Sequence, residues 1–251
     1  MLPSQALKRF RFDPTLLARL ASVAIVAAAL PAASIQAALI TIVNPSFEDP
    51  IIADGSFLTT APPTGWTTFG TVNSFLSRDV GVLNPATTAL YTDPAPHGAN
   101  VAVVFLLNGP SSPTGIQQTL SDTLQLNTQY TLTLSIGNIA EIPLGFAFTG
   151  FPGYRVSLLA GGEEIASDNN SLLPGEGQFL PTSLSFTTGS SHAQAGEALG
   201  IRLLNLDAAS GIEVNFDNLQ LQAVAVPEPS QALLAAAALL LCTSVARRFS
   251  T

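Results

Sequence analysis

Gln129-Tyr130-Thr131-Leu132-Thr133-Leu134-Ser135-Ile136-Gly137 alternates large apolar residues at even positions with small polar ones at odd positions. A period of two puts one set of side chains in a core and the other in water, which is the signature of a half-buried strand. Tyr154, Val156 and Leu158 repeat the pattern, and Gly161-Gly162 then offers the positive φ angles of a tight hairpin into Glu163–Ala166. Further strand-like runs lie at 39–43, 66–70, 100–107, 115–120, 182–187, 199–205 and 213–224. Proline- and glycine-rich loops separate them at 61–65, 93–98 and 109–113. Many short strands with turn signals, and no helical period between them, predict an all-β antiparallel sandwich over residues 38–226.

Charge bounds the partners of this region. From Leu39 to Val226 there are three basic residues, Arg78, Arg155 and Arg202, against fifteen acidic ones, a net charge of about −12. Such a surface repels phosphate backbones, so nucleic acid is excluded as a partner. The single cysteine, Cys242, excludes an intramolecular disulfide and a cysteine-ligated metal cluster.

The two ends read as address labels. Lys8, Arg9, Arg11 and Arg19 precede an uncharged run from Leu20 to Leu30, then Pro31 and small residues up to Ala37. That order predicts a signal peptide over 1–37, handled by the Sec translocon and signal peptidase. At the other end Pro227-Glu228-Pro229 precedes an uncharged Ala/Leu run from Ala232 to Ala246 and then Arg247-Arg248. As a helix with its Ser230-Gln231 lead-in, that run would cover about 25 Å of a ~30 Å hydrocarbon core, with the two arginines keeping the tail cytoplasmic.

The terminal tripeptide, helix and arginine pair resemble the PEP-CTERM sorting signal of Gram-negative bacteria. The resemblance implies a sorting segment at 227–251, with Pro227, Glu228 and Pro229 recognised by the protease exosortase and Arg247 and Arg248 setting topology. It implies an exported protein, held at the inner membrane and then released to the cell surface or extracellular matrix. A second resemblance spans the domain. Asn44-Pro45-Ser46-Phe47-Glu48, Gly65-Trp66, Tyr130-Thr131-Leu132 and Phe216-Asp217-Asn218-Leu219 look like the galactose-binding-like jelly rolls that include many carbohydrate-binding modules. That resemblance implies a structural calcium where the first and last strands meet, held by Glu48 and Asp217 with Asn44, and Asn100 as a further candidate. A change of phase between Val214/Phe216 and Leu219/Leu221 independently predicts a bulge at Asp217-Asn218.

Exposed aromatics would be the residues to stack on sugar rings, and Trp66, Phe69, Phe75, Tyr91, Phe146, Phe148 and Phe151 are the candidates, with core packing as the alternative for each. His97 and His192 stand in no catalytic frame. The expectation is therefore a non-enzymatic surface or biofilm-matrix protein, with extracellular polysaccharide as its ligand. Two alternatives stay open: a secreted glycoside-active hydrolase, which needs only a pair of carboxylates, and a structural coat protein without ligand.

Overall fold

The computed structural model describes residues 37–70, 78–86, 88–107, 113–141, 148–207 and 211–227. Residues Gln36–Val226 form one compact unit. Its described residues form twelve strands: β1 (Ala38–Ile40), β2 (Phe57–Leu58), β3 (Thr67–Phe69), β4 (Arg78–Leu83), β5 (Val101–Leu106), β6 (Thr114–Thr123), β7 (Thr128–Asn138), β8 (Tyr154–Ala160), β9 (Glu163–Asn169), β10 (Gln178–Thr187), β11 (Ala198–Asn205) and β12 (Glu213–Ala225). A seven-stranded sheet runs β10-β7-β12-β5-β4-β2, with β1 pairing the far half of β12, and a five-stranded sheet runs β3-β6-β11-β8-β9. Every pairing is antiparallel. The expected antiparallel jelly-roll sandwich is what forms.

The alternation on β7 does what its sequence requires. Leu132, Leu134 and Ile136 face the five-stranded sheet and join Val156, Leu158, Ile201 and Leu203 in the main core. β4 and β12 follow the same rule, with Val80, Val82, Val214 and Phe216 pointing inward. On β12 the ladder to β7 shifts register between Asp217 and Gln220, and Asn218 has φ +55°. That bulge lets Leu219 and Leu221 return to the core after the polar interruption. Gly161 and Gly162 turn at φ +61° and +85°, closing the β8–β9 hairpin.

Two strands escape the periodicity reading. β2 is only two residues long and both are exposed. β4 reads Arg-Asp-Val-Gly-Val-Leu, and its glycine is needed because a Cβ at Gly81 would fall 1.9 Å from the Leu58 carbonyl oxygen. A glycine in mid-strand is a poor strand signal, and here it marks close approach of another backbone.

The seven-stranded sheet also buries part of its outer face. Leu83, Val101 and Val103 pack there beneath Leu90, Tyr91 and Ile139, with Phe105, Phe148 and Phe179 partly covered beside them. A sheet with one face solvated needs no such cluster, so an apolar layer outside the main core points to a site.

Among the described residues no helix is long and apolar enough to cross a membrane. The expected signal peptide through residue 36, and the expected sorting segment and membrane helix from Glu228 with Pro229, Arg247 and Arg248, lie outside the described residues, whereas Pro227 is exposed after β12. Truncating the core should separate from truncating the edge. Phe216→Ala is expected to lose about 3–5 kcal/mol in urea unfolding, whereas Phe57→Ala, at 70% exposure, should change stability by about 0.5 kcal/mol or less.

Candidate functional site

Three polar residues of β12 share the outer face: Glu213, Asn215 and Asp217, all buried. Strand pairing arranges their neighbours in rows. Glu213 lies opposite Phe105 of β5, which lies opposite Asp79 of β4. Asn215 lies opposite Val103 on one side and Gly137 on the other, and Gly137 lies opposite Phe179. Above them Tyr91 stacks on Phe179 with ring centroids 4.1 Å apart, and Phe148 meets Phe105 edge-on at 6.4 Å.

Glu213 is therefore a carboxyl in aromatic surroundings. Among the described residues no basic side chain pairs with it; its hydrogen bond comes from Asn215 Nδ2 to Oε1, at 2.9 Å. Burial without a counter-charge pushes its pKa up to about 7, and the Asn215 bond pulls the other way. Tyr91 is likewise held protonated by burial and by the neighbouring Glu213, and its hydroxyl donates to Asn215 Oδ1. A carboxylic acid that keeps its proton near neutral pH, against aromatic faces, is equipped to protonate an apolar substrate.

At the far end of the same face the loop before β5 ties the first motif to the last strand. Asp217 Oδ2 accepts from the His97 amide at 2.8 Å, and Glu48 Oε1 accepts from the amides of Ala99 and Asn100 at 3.0 and 2.9 Å. Gly98, at φ +72°, is required between them, since a Cβ there would lie 2.4 Å from Glu48 Oε1. Burial, with the Glu48 charge adding to it, raises the Asp217 pKa to about 7. Among the described residues Asn100 Oδ1, buried, has no hydrogen-bond partner, while its side-chain nitrogen donates to the Phe47 and Pro50 carbonyls. An orphaned amide oxygen and two carboxylates are the hard oxygen donors calcium takes, so this set fits such an ion.

Asn44 does not join it through its side chain. Its Oδ1 accepts from the Asp49 amide and its Nδ2 donates to the Asp49 and Thr64 carbonyls, closing the turn after β1. Among the described residues no group of three or more His, Cys, Asp or Glu side chains comes together.

The other candidates disperse. Trp66 is core, tilted against Phe47, and Phe151 is core beside Tyr154. Phe69 lies under the Arg202 guanidinium at 3.9 Å. His97 contributes its backbone amide, and His192 packs on Phe186. Phe75 and Phe146 lie outside the described residues. A cavity of about 310 Å³ on the five-stranded sheet, lined by Gln117, Thr119, Gly161 and Arg202 among others, holds neither an acid nor an aromatic ring.

The family model of the HpiC1-like proteins, described as HpiC1 cyclase, matches residues 38–222. A crystal structure of the Stig cyclase Fisc from Fischerella sp. TAU, in complex with (3Z)-3-(1-methyl-2-pyrrolidinylidene)-3H-indole, superposes with a TM-score of 0.73 at 35% identity, covering 76% of this chain and 100% of that one. A cyclase from Fischerella sp. TAU in complex with 4-(1H-indol-3-yl)butan-2-one gives 0.72 at 35% identity, with 76% and 100% covered. The apo form of a cyclase from Fischerella sp. gives 0.72 at 35% identity, with 76% and 98% covered. No curated protein sequence matches the chain. The chain belongs to the HpiC1-like cyclase family.

That membership corrects several expectations. The domain, not the tail, decides the family, so the chain is not placed among PEP-CTERM sorting proteins or carbohydrate-binding modules, and exosortase and extracellular polysaccharide fall away as partners. The surface-protein, coat-protein and glycoside-hydrolase readings fall with them. The non-enzymatic expectation is overturned as well, because the relatives are cyclases. A search for histidine, serine and cysteine motifs passes over a lone desolvated carboxyl such as that of Glu213.

The raised Glu213 pKa makes a stability prediction. The folded state holds this proton more tightly than the unfolded chain between pH 4.5 and about 7, so the associated stability is present in acid and is lost as pH rises through about 7. Thermal midpoints measured from pH 5 to 8 should fall for the wild type and fall less for Glu213→Gln. The difference has an upper value of about 3 kcal/mol, at about 1.4 kcal/mol per pH unit.

Proposed function

We propose that the chain is a cyclase acting on an apolar aromatic substrate of the indole class, with Glu213 as the proton donor that starts ring closure. The buried, uncompensated carboxyl beside Phe105 and Tyr91 is the observation that carries this reading, and the indole compounds bound to the relatives name the substrate class. Glu213 gives its proton to an unsaturated side chain of the substrate. The resulting cation is attacked by the π-electrons of a second unsaturated group, forming the new ring bond. Loss of a proton back to the Glu213 carboxylate completes an isomerisation that needs no oxidant or reductant. The faces of Phe105, Phe148 and Phe179 stabilise the passing positive charge and exclude water that would otherwise capture it.

Calcium belongs to this reading as a brace. Glu48, Asp217 and Asn100 would hold it, and the ion would neutralise the two carboxylates while locking the 97–100 loop over the end of β12. Export is the other part. The basic N-terminal residues, the apolar run and the small residues before Ala38 support transport out of the cytosol, with the C-terminal apolar run holding the precursor at the inner membrane.

Incubating the full chain with an indole that carries two unsaturated groups should yield a cyclised product of unchanged mass. Glu213→Gln should slow its formation by about 10²- to 10⁴-fold. Unchanged turnover in that variant, or no cyclisation by the wild type, would refute the reading. Calcium at about 100 times its dissociation constant should stabilise the wild type by about 2.7 kcal/mol, an effect reversed by chelator and missing in Asp217→Asn. A fusion of residues 1–37 to alkaline phosphatase should be active in the bacterial periplasm, and a cytosolic, inactive fusion would contradict export.

A further inference from the structure

We propose that Asn215 is a positioning residue that decides which oxygen of Glu213 carries the acidic proton, assigning it to Oε2. The inference rests on the reading of Glu213 as the proton donor and specifies how that donor is aimed. Asn215 Nδ2 gives one hydrogen to the Ala102 carbonyl at 3.1 Å and one to Glu213 Oε1 at 2.9 Å. Oδ1 accepts from the Tyr91 hydroxyl. The amide cannot be reversed, because Oδ1 would then face the Ala102 oxygen, two acceptors with no proton between them. Both amide hydrogens are thus committed, and Glu213 Oε1 always meets a donor. In a protonated carboxyl the carbonyl oxygen is the better acceptor, so the carbonyl settles at Oε1 and the O–H at Oε2. Among the described residues Oε2 receives no hydrogen bond, which leaves its proton available to a substrate.

The backbone is shaped to keep this arrangement. Opposite Asn215 on β7 stands Gly137, where a Cβ would fall 2.7 Å from the Tyr91 hydroxyl oxygen and 2.4 Å from a ring carbon of Phe179. Any side chain there would lift Tyr91 off Asn215. The other titratable groups facing Glu213 are Tyr91 from the loop above, Asp79 two strands away at about 10 Å by strand spacing, and Asp217 further along β12. Among the described residues Oε1 accepts from the Asn215 amide, and that bond sets the asymmetry.

Infrared difference spectra of the full chain, wild type minus Glu213→Gln, isolate the carbonyl stretch of protonated Glu213. In Asn215→Leu that band should move to higher frequency, as a carbonyl does on losing a donor. Its titration midpoint should rise by about one to two pH units, a ten- to hundredfold change in the acid constant. If Asn215→Leu does not fold, Asn215→Ala, which removes the same donor without adding bulk, should move the band in the same direction. A band unchanged in frequency and midpoint in the folded variants overturns the inference, even if turnover falls. A band that moves as expected while Glu213→Gln keeps full turnover supports the proton placement and refutes the role of Glu213 as donor.

Discussion

β12 is hydrogen-bonded along both edges, to β7 on one side and to β5 and then β1 on the other. A strand clamped in this way has one register, and a slip by one residue would exchange its two faces. Val214 and Phe216 would leave the core, while Glu213, Asn215 and Asp217 would be driven into it. The main core therefore fixes the outer face as firmly as its own. Three polar side chains that would be mobile on a free surface stand in fixed order, and the bulge after Asp217 ends the polar segment where the 97–100 loop crosses it.

The outer face carries a cost that the fold alone does not require. A buried carboxyl without a counter-charge destabilises the protein whenever it ionises, and an apolar residue at position 213 would remove that penalty. Such costs concentrate where chemistry needs them. The contrast with Asp168 is informative. That residue is also enclosed, yet it accepts from the Tyr154, Thr182 and Ser171 groups, and these bonds hold its pKa below the usual carboxylate range against the opposing effect of burial. One acid is satisfied and serves the structure. The other, among the described residues, accepts from one amide, has its pKa pushed up to about 7 by burial, and lies opposite Phe105 with Tyr91 near it.

Much of the fold was legible because it rests on local alternation. The run at β7 has a clean period of two, those at β8 and β11 keep it until Leu159 and Leu204, and the phase change at Asp217-Asn218 locates the bulge. β4 was not legible, since its glycine answers to a backbone far away in sequence. The meeting of Glu48 and Asp217 around one loop follows from the resemblance of the opening and closing motifs to jelly-roll modules, but the commitment of Asn44 to its own turn does not. Glu213 was missed entirely, although a weak signal existed. An acid that begins a strand of alternating polar and apolar residues looks like a solvent-facing end, and only the arrival of Tyr91 and Phe105 from distant segments makes it a dry one. Tyr91 and Phe148 stood among the exposed-aromatic candidates for stacking on sugar rings, and the structure gathers them on this face with Phe179 and Phe105 instead.

The account turns on where a flat aromatic ligand settles. A crystal structure of the full chain soaked with 4-(1H-indol-3-yl)butan-2-one should show the indole ring against Phe105 and Phe148 on the outer face of the seven-stranded sheet, with a polar ligand atom within hydrogen-bond reach of Glu213 Oε2. An indole ring seated instead in the Gln117–Arg202 cavity of the opposite sheet, or bound on the aromatic face with Glu213 turned away from it, would contradict the account.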